Sequence, residues 1–275
     1  MKSGVNVSCG RCQVSALQLV EKVDIRTATP EDVSGIFALA TSLFGSKQFL
    51  YTIYQAPPAQ AYLEKRVAAG SPTNPFFVLE AYGQLVGYYE ALVGEKNCFL
   101  NYIGIEKSFA GQGYGNLLLA HFTGLARDRG ITELALDVFE SNEMALSWYQ
   151  RQGFEQKAVR YLTRLEIGAS VPKSPAKASL DAAELRAALD DEAASGFSKV
   201  VCDVGGHSIL LGLIGGHSCK LLDWSGLPVD TAVQVSAALM RGRRQVLIVS
   251  SPQQLSSKLP VLSAESVVRM HKLLN

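Results

Sequence analysis

Three glycines alternate in Ala110-Gly-Gln-Gly-Tyr-Gly115, between the apolar run "FLNYIGI" and the helical-looking run "NLLLAHFTGLARDRG". Glycine lets backbone N–H groups turn toward a ligand with no side chain in the way. A helix starting at Tyr114 or Gly115 adds its unpaired first-turn N–H groups and its positive dipole end at the same point. That chemistry is anion binding, and it suits phosphate or pyrophosphate. A Walker loop would end in Gly-Lys-Ser/Thr, whereas Gly115 precedes Asn116 and Leu117, so a magnesium nucleotide is not expected. The dinucleotide fingerprint G-x-G-x-x-G fails as well, because the glycines fall at 111, 113 and 115. The plain alternative is a tight strand-to-helix turn with no ligand.

Two other groupings invite chemistry. Cys9 and Cys12 form a C-x-x-C, which can hold half a zinc site or a redox pair, but no second pair accompanies it. His207 and His217 sit in two "GGHS" repeats, where each Gly-Gly reads as a hairpin turn and no third metal ligand can be named. No metal site is expected.

The elements that must position the glycine loop form a mixed α/β order. "KVDIRTA" reads as a strand, and "TPEDVSGIFALATSLFG" as a helix capped by Thr29 with Pro30 at its first position. A second helix, "AQAYLEKRVAAG", precedes the strands "FFVLEA", "LVGYYEALV" and "CFLNYIGI", whose short links imply an antiparallel meander. After the loop, Leu118, Phe122 and Leu125 recur at helical spacing. "TELALDVF" is then a strand, "SNEMALSWYQRQG" a helix with Ser141 as expected N-cap, and "GFEQKAVRYLTRLEI" one long or two short strands.

With 275 residues and 48% apolar content the chain can bury two ordinary cores, and its two prolines and small residues make "GASVPKSPAKA" the natural linker. The expected division is a flexible tail over 1–22, a first domain over 23–167, a linker over 168–178 and a second α/β unit over 179–275. That second unit reads as helix, three strands, helix, strand and a last helix, "SAESVVRMHKLL". A net charge of +1 gives no general footprint for nucleic acid. No apolar stretch suggests a membrane helix or signal peptide, and the odd count of five cysteines argues against a secreted disulfide framework. The expected location is the cytoplasm.

Across about residues 23–167 the sequence resembles the GNAT superfamily of acetyltransferases: the strand "FLNYIGI", the loop "AGQGYG", the helix, the strand "LALDVF" and "NEMALSWYQRQGF" follow that family's order and spacing. The resemblance implies a mixed, mostly antiparallel twisted sheet flanked by helices. It also implies that the backbone amides of Ala110, Gly111, Gln112, Gly113, Tyr114 and Gly115 hold the pyrophosphate of acetyl-coenzyme A. Ala110 departs from the family pattern, standing where arginine or glutamine is usual. The cofactor contact extends by the same resemblance to Ile103, Gly104 and Ile105, with a backbone N–H near Ile103 as donor to the oxyanion.

Asn142, Ala145 and Tyr149 are spaced to share one helix face. In similar enzymes an asparagine at this place contacts the pantetheine arm and the tyrosine lies near the coenzyme sulfur, where a phenol can protonate the departing thiolate. The implied reaction is direct attack of a primary amine on the thioester. The amine needs a base; Glu90, Asn101 or Tyr102 through a water, and Asp137 are candidates, with Glu90 chosen over its alternative as a solvent-facing strand carboxylate. The second unit repeats the element order of the first, yet "DWSGLPVD" replaces the glycine loop, so it is expected to be a degenerate GNAT-like half that shapes the acceptor site, completes the first unit's sheet edge or makes a homodimer. A non-catalytic acyl-coenzyme A binding module is the competing reading.

Overall fold

In a computed structural model, the described residues are 23–56, 58–166, 178–224, 226–240, 242–250 and 259–274. The expected tail with Cys9 and Cys12, and nearly all of the expected linker, lie outside them. The chain starts with β1 (Asp24–Thr27), followed by α1 (Val33–Leu43), a short α2 (Ser46–Phe49) and α3 (Ala59–Ala69). A 3-10 turn over Pro30–Asp32 leads into α1; the Thr29 N–H donates to Asp32 at 2.7 Å, completing the capping box that Pro30 pre-sets. Strands β2 (Phe76–Ala81), β3 (Gln84–Val93) and β4 (Asn97–Ile105) form the expected antiparallel meander. The crossover helix α4 (Tyr114–Asp128) then delivers β5 (Glu133–Phe139) parallel to β4, as a connection of that length requires.

Next come α5 (Glu143–Arg151) and the single long strand β6 (Glu155–Glu166). The cap of α5 is Asn142 rather than Ser141: its Oδ1 accepts from the Ala145 N–H at 3.1 Å. The second half contains β7 (Ala178–Ser179), α6 (Ala182–Ser195), β8 (Phe197–Val204), β9 (His207–Ile214), β10 (Ser218–Asp223), α7 (Val229–Leu239) and β11 (Gln245–Ser250). Both Gly-Gly pairs turn the chain between β8, β9 and β10, with φ from 58° to 87°, which only glycine adopts at little cost.

The expected last helix is a strand. Residues Val261–Leu273 form β12, hydrogen-bonded on one side to β5 and on the other to β6. The apolar residues Val267, Val268, Met270 and Leu273 fit a helical stripe as well as a half-buried strand. Tertiary pairing decides between them, because β5 and β6 would otherwise each present an unpaired edge.

The result is one sheet of 12 strands in the order β1-β2-β3-β4-β5-β12-β6-β11-β10-β9-β8-β7. Read from its centre, that order places the halves symmetrically: β12 from the second half completes the first beside β5, and β6 from the first completes the second beside β11. Each core accordingly contains a borrowed strand. Val268 and Met270 pack with Phe122, Leu134 and Tyr149 of the first half, and Leu165 packs with Val233 and Val246 of the second.

Candidate active site

Parallel pairing of β4 with β5 runs from Asn97 opposite Glu133 to Leu100 opposite Leu136 and stops there, although β4 continues to Ile105 and β5 to Phe139. A bulge drives the two apart: against β3, Glu90 pairs with Tyr102 and Ala91 with Leu100, leaving Asn101 as the extra residue. Beyond Leu100, therefore, β4 has no strand on its β5 side. A cavity of about 330 Å³ opens in this gap, with Asn101, Tyr102 and Ile103 on one wall, Asp137 on another, and Asn142, Ala145 and Tyr149 of α5 across it.

At the end of the same strand stands the glycine loop. Gly111 and Gly113 have φ of 77° and 89°, and a Cβ on either would meet nothing within 4 Å, so their side-chain positions face open space. Gly113 is the N-cap of α4, and its carbonyl accepts from Asn116 and Leu117. The backbone N–H groups of Gly111, Gln112, Gly113, Tyr114 and Gly115 have no acceptor among the described residues. Consecutive unpaired donors at the positive end of a 15-residue helix form an anion cradle, and pyrophosphate fits this donor set. Ala110, expected among these donors, is exposed and its N–H already donates to the Lys107 carbonyl at 3.2 Å, so it adds neither a free amide nor a charge.

Helix α5 is held against this cradle. Trp148 Nε1 donates to Asn116 Oδ1 at 2.8 Å, Gln152 Nε2 donates to the same oxygen at 3.2 Å, and the Trp148 ring lies where a Cβ on Gly115 would touch it at 3.4 Å. Tyr149 follows in the core, 6% exposed, on the cavity wall; its hydroxyl has no hydrogen-bond partner among the described residues. Burial raises its pKa above the ordinary tyrosine range, so the phenol stays protonated at neutral pH.

Glu90 is fully buried rather than solvent-facing. Arg66 donates to its Oε1 at 2.6 Å and Asn101 Nδ2 to its Oε2 at 2.8 Å. Burial pushes its carboxyl up from the usual range while Arg66 and Asn101 oppose that shift. It does not line the cavity; Asn101, the bulged residue, stands between them. Of the other residues selected from sequence, Ile103, Asn142 and Tyr149 border the cavity, whereas Gly104 and Ile105 do not. At Gly104 a Cβ would overlap the tip of the Leu43 side chain of α1 and crowd the Tyr88 ring, so close packing favours glycine there. The Asn142 side chain spends an acceptor on its capping bond, which leaves its amide N–H groups for a ligand.

Sequence reasoning missed the far wall: Tyr51 and Thr52 after α2, Leu162 of β6, Lys220 of β10 and Val249 of β11 also line the cavity. No local motif marks them, and Leu162, Lys220 and Val249 arrive only through the long-range exchange of β6 and β12. Among the described residues no cluster of His, Cys, Asp and Glu could hold a metal ion, and His217 Nδ1 bonds the Gly215 carbonyl at 2.8 Å.

Residues 42–154 match the family model for the Acetyltransferase (GNAT) family. This stretch is a GNAT acetyltransferase domain. Over 86 residues the chain is 34% identical to an uncharacterised N-acetyltransferase of Bacillus subtilis, a match covering 31% of this chain and 55% of that protein. Over 156 residues it is 27% identical to a mycothiol acetyltransferase of Clavibacter sepedonicus, covering 56% of this chain and 50% of that one. The chain thus spans about half the length of the curated relatives it matches. A solved tandem GNAT protein from the clavulanic acid biosynthesis pathway superposes with a TM-score of 0.64 at 14% identity, over 92% of this chain and 98% of that one. At that identity the likeness concerns fold, and it extends the GNAT architecture beyond the GNAT domain to the second half.

Proposed function

We propose that the protein is an N-acetyltransferase that uses acetyl-coenzyme A to acetylate a primary amine, with residues 23–167 as its catalytic unit and 179–275 as a second, degenerate GNAT-like unit. The five consecutive unpaired N–H groups from Gly111 to Gly115 carry this reading, because they suit the pyrophosphate of the coenzyme and lie beside the gap between β4 and β5. Bound there, acetyl-coenzyme A supplies an activated acetyl thioester. The chain's own residues do the rest. Asn142 amide hydrogens contact the pantetheine arm, and β4 around Ile103 offers backbone N–H to the developing oxyanion. Tyr149 holds a proton for the leaving sulfur. Glu90 fixes Asn101 at the cavity wall by a hydrogen bond, and the proton of the amine leaves through water to bulk solvent.

Titration calorimetry with coenzyme A and acetyl-coenzyme A tests the cradle, comparing the parent with Gln112→Glu. Gln112 has a negative φ, so the change adds charge without backbone strain. One extra negative charge beside the pyrophosphate should weaken binding on the order of tenfold. Equal binding by both proteins, or none by either, would remove the loop from the site.

A further inference from the structure

The second half repeats the device that opens the first. Parallel pairing of β10 with β11 stops at Lys220 opposite Leu247, although both strands run on, and a bulge follows in β10 between Leu221 and Asp223. Its gap opens into a cavity of about 670 Å³ that shares Phe99, Asn101, Asp137, Lys220 and Val249 with the first. Three cations line this larger cavity, Arg160 of β6, Lys220 of β10 and Arg269 of β12, together with the carboxylates Asp137 and Asp223. Arg269 is satisfied, donating to both Asp137 oxygens and lying 4.9 Å from the Phe99 ring. Asp137 therefore has its charge paired by Arg269, although it still borders both cavities. Arg160 and Lys220 have no hydrogen-bond or ion-pair partner among the described residues.

We infer that this shared cavity receives the acceptor, and that Lys220 and Arg160 bind an anionic group, carboxylate or phosphate, carried by the same molecule as the amine. This rests on the acetyltransferase reading for the role of the bound molecule, though the anion site stands on the cavity itself. Lys220 borders both compartments, so an acceptor held there by its acid reaches toward Tyr149 and Asn101 with its amine. Two half-buried cations with no directly bonded counter-ion are costly to keep dry, and an anion that pairs with them offsets that cost. Burial lowers the Lys220 pKa while Asp137 opposes the shift, the balance expected of an ammonium group short of a counter-ion.

The test uses the full chain and three small amines of similar length: propylamine, β-alanine and 2-aminoethyl phosphate. Acetylation of one or both acid-bearing amines should exceed that of propylamine at least tenfold in kcat/KM, and the better of the two identifies the anion. Lys220→Met should raise KM for that acceptor tenfold or more. Its effect on the propylamine rate should be several-fold smaller than on the acid-bearing acceptor, the Kd of coenzyme A should not rise, and Lys220→Arg should restore part of the loss. Equal use of all three amines, or equal losses in Lys220→Met for charged and neutral acceptors, would overturn the inference. A weaker grip on coenzyme A in Lys220→Met would also overturn it, assigning the cations to the coenzyme's phosphates. If no acetyl transfer occurs at all, the acetyltransferase reading fails by itself and calorimetry with β-alanine and 2-aminoethyl phosphate decides the anion site: binding lost in Lys220→Met upholds it, and no binding to the parent overturns it.

Discussion

At the scale of single residues, the division of labour follows from which groups have partners and which do not. Glu90 has all the hydrogen bonding its burial demands, from Arg66 and Asn101, whereas the Tyr149 hydroxyl has none among the described residues and borders the cavity. Replacing Tyr149 by Phe removes the phenol and keeps the packing against Phe154 and Trp148. Acetyl transfer should then fall about a hundredfold or more in kcat, while KM for acetyl-coenzyme A changes little, as expected for proton donation that matters only in the transition state. The pH profile gives an independent check. A proton donor fails as pH rises through its pKa, and burial shifts that of Tyr149 upward from its ordinary value of about 10. Saturated rates in the parent enzyme should therefore show no alkaline decline below about pH 10 that vanishes in Tyr149→Phe. Steady-state kinetics between pH 6 and 10 would reveal one.

At the scale of elements, β12 is the strand on which both halves depend. It lies at the centre of the sheet, paired on both edges from Val267 to His271. Proline at Val268, which pairs with Val138 and Val159, would delete a ladder donor and force a kink at a site 2% exposed. The expected loss is about 3 kcal/mol or more in urea unfolding. The same strand shows what the sequence could and could not convey. Elements formed by local signals were legible: the capping box at Thr29 and Asp32, the Gly-Gly hairpins, and the glycine loop, whose unpaired amides follow from backbone conformation alone. Strand β12 was not, since five apolar residues in "SAESVVRMHKLL" satisfy helical and strand spacing alike, and only the β-branched pair Val267-Val268 leaned toward a strand. That the second unit could complete the first unit's sheet edge was among the expectations, but which segment does so was hidden, and with it the arrival of Lys220 at the same cavity as Asn101.

At the scale of the whole molecule, the exchange of β6 and β12 means that neither half can lose its core without exposing part of the other's. Leu165 makes the point most sharply: it lies on β6, directly after the GNAT domain in the chain, yet packs with Val233 and Val246 at 0% exposure in the second core. Truncation to Ala should cost about 2–5 kcal/mol through the cavity it leaves. Two independent domains would confine that loss to the second half, whereas a shared sheet spreads it over both. The chain has two tryptophans, Trp148 on α5 of the first half and Trp224 after β10 of the second. Each can therefore report alone once the other is changed to Phe. Fluorescence-monitored urea unfolding should give coincident midpoints for the two reporters, a result not assured for a chain of this length. Adding Leu165→Ala should lower both midpoints equally. A shift seen by Trp224 but not by Trp148 would mean that the exchanged strands join two folding units without coupling them.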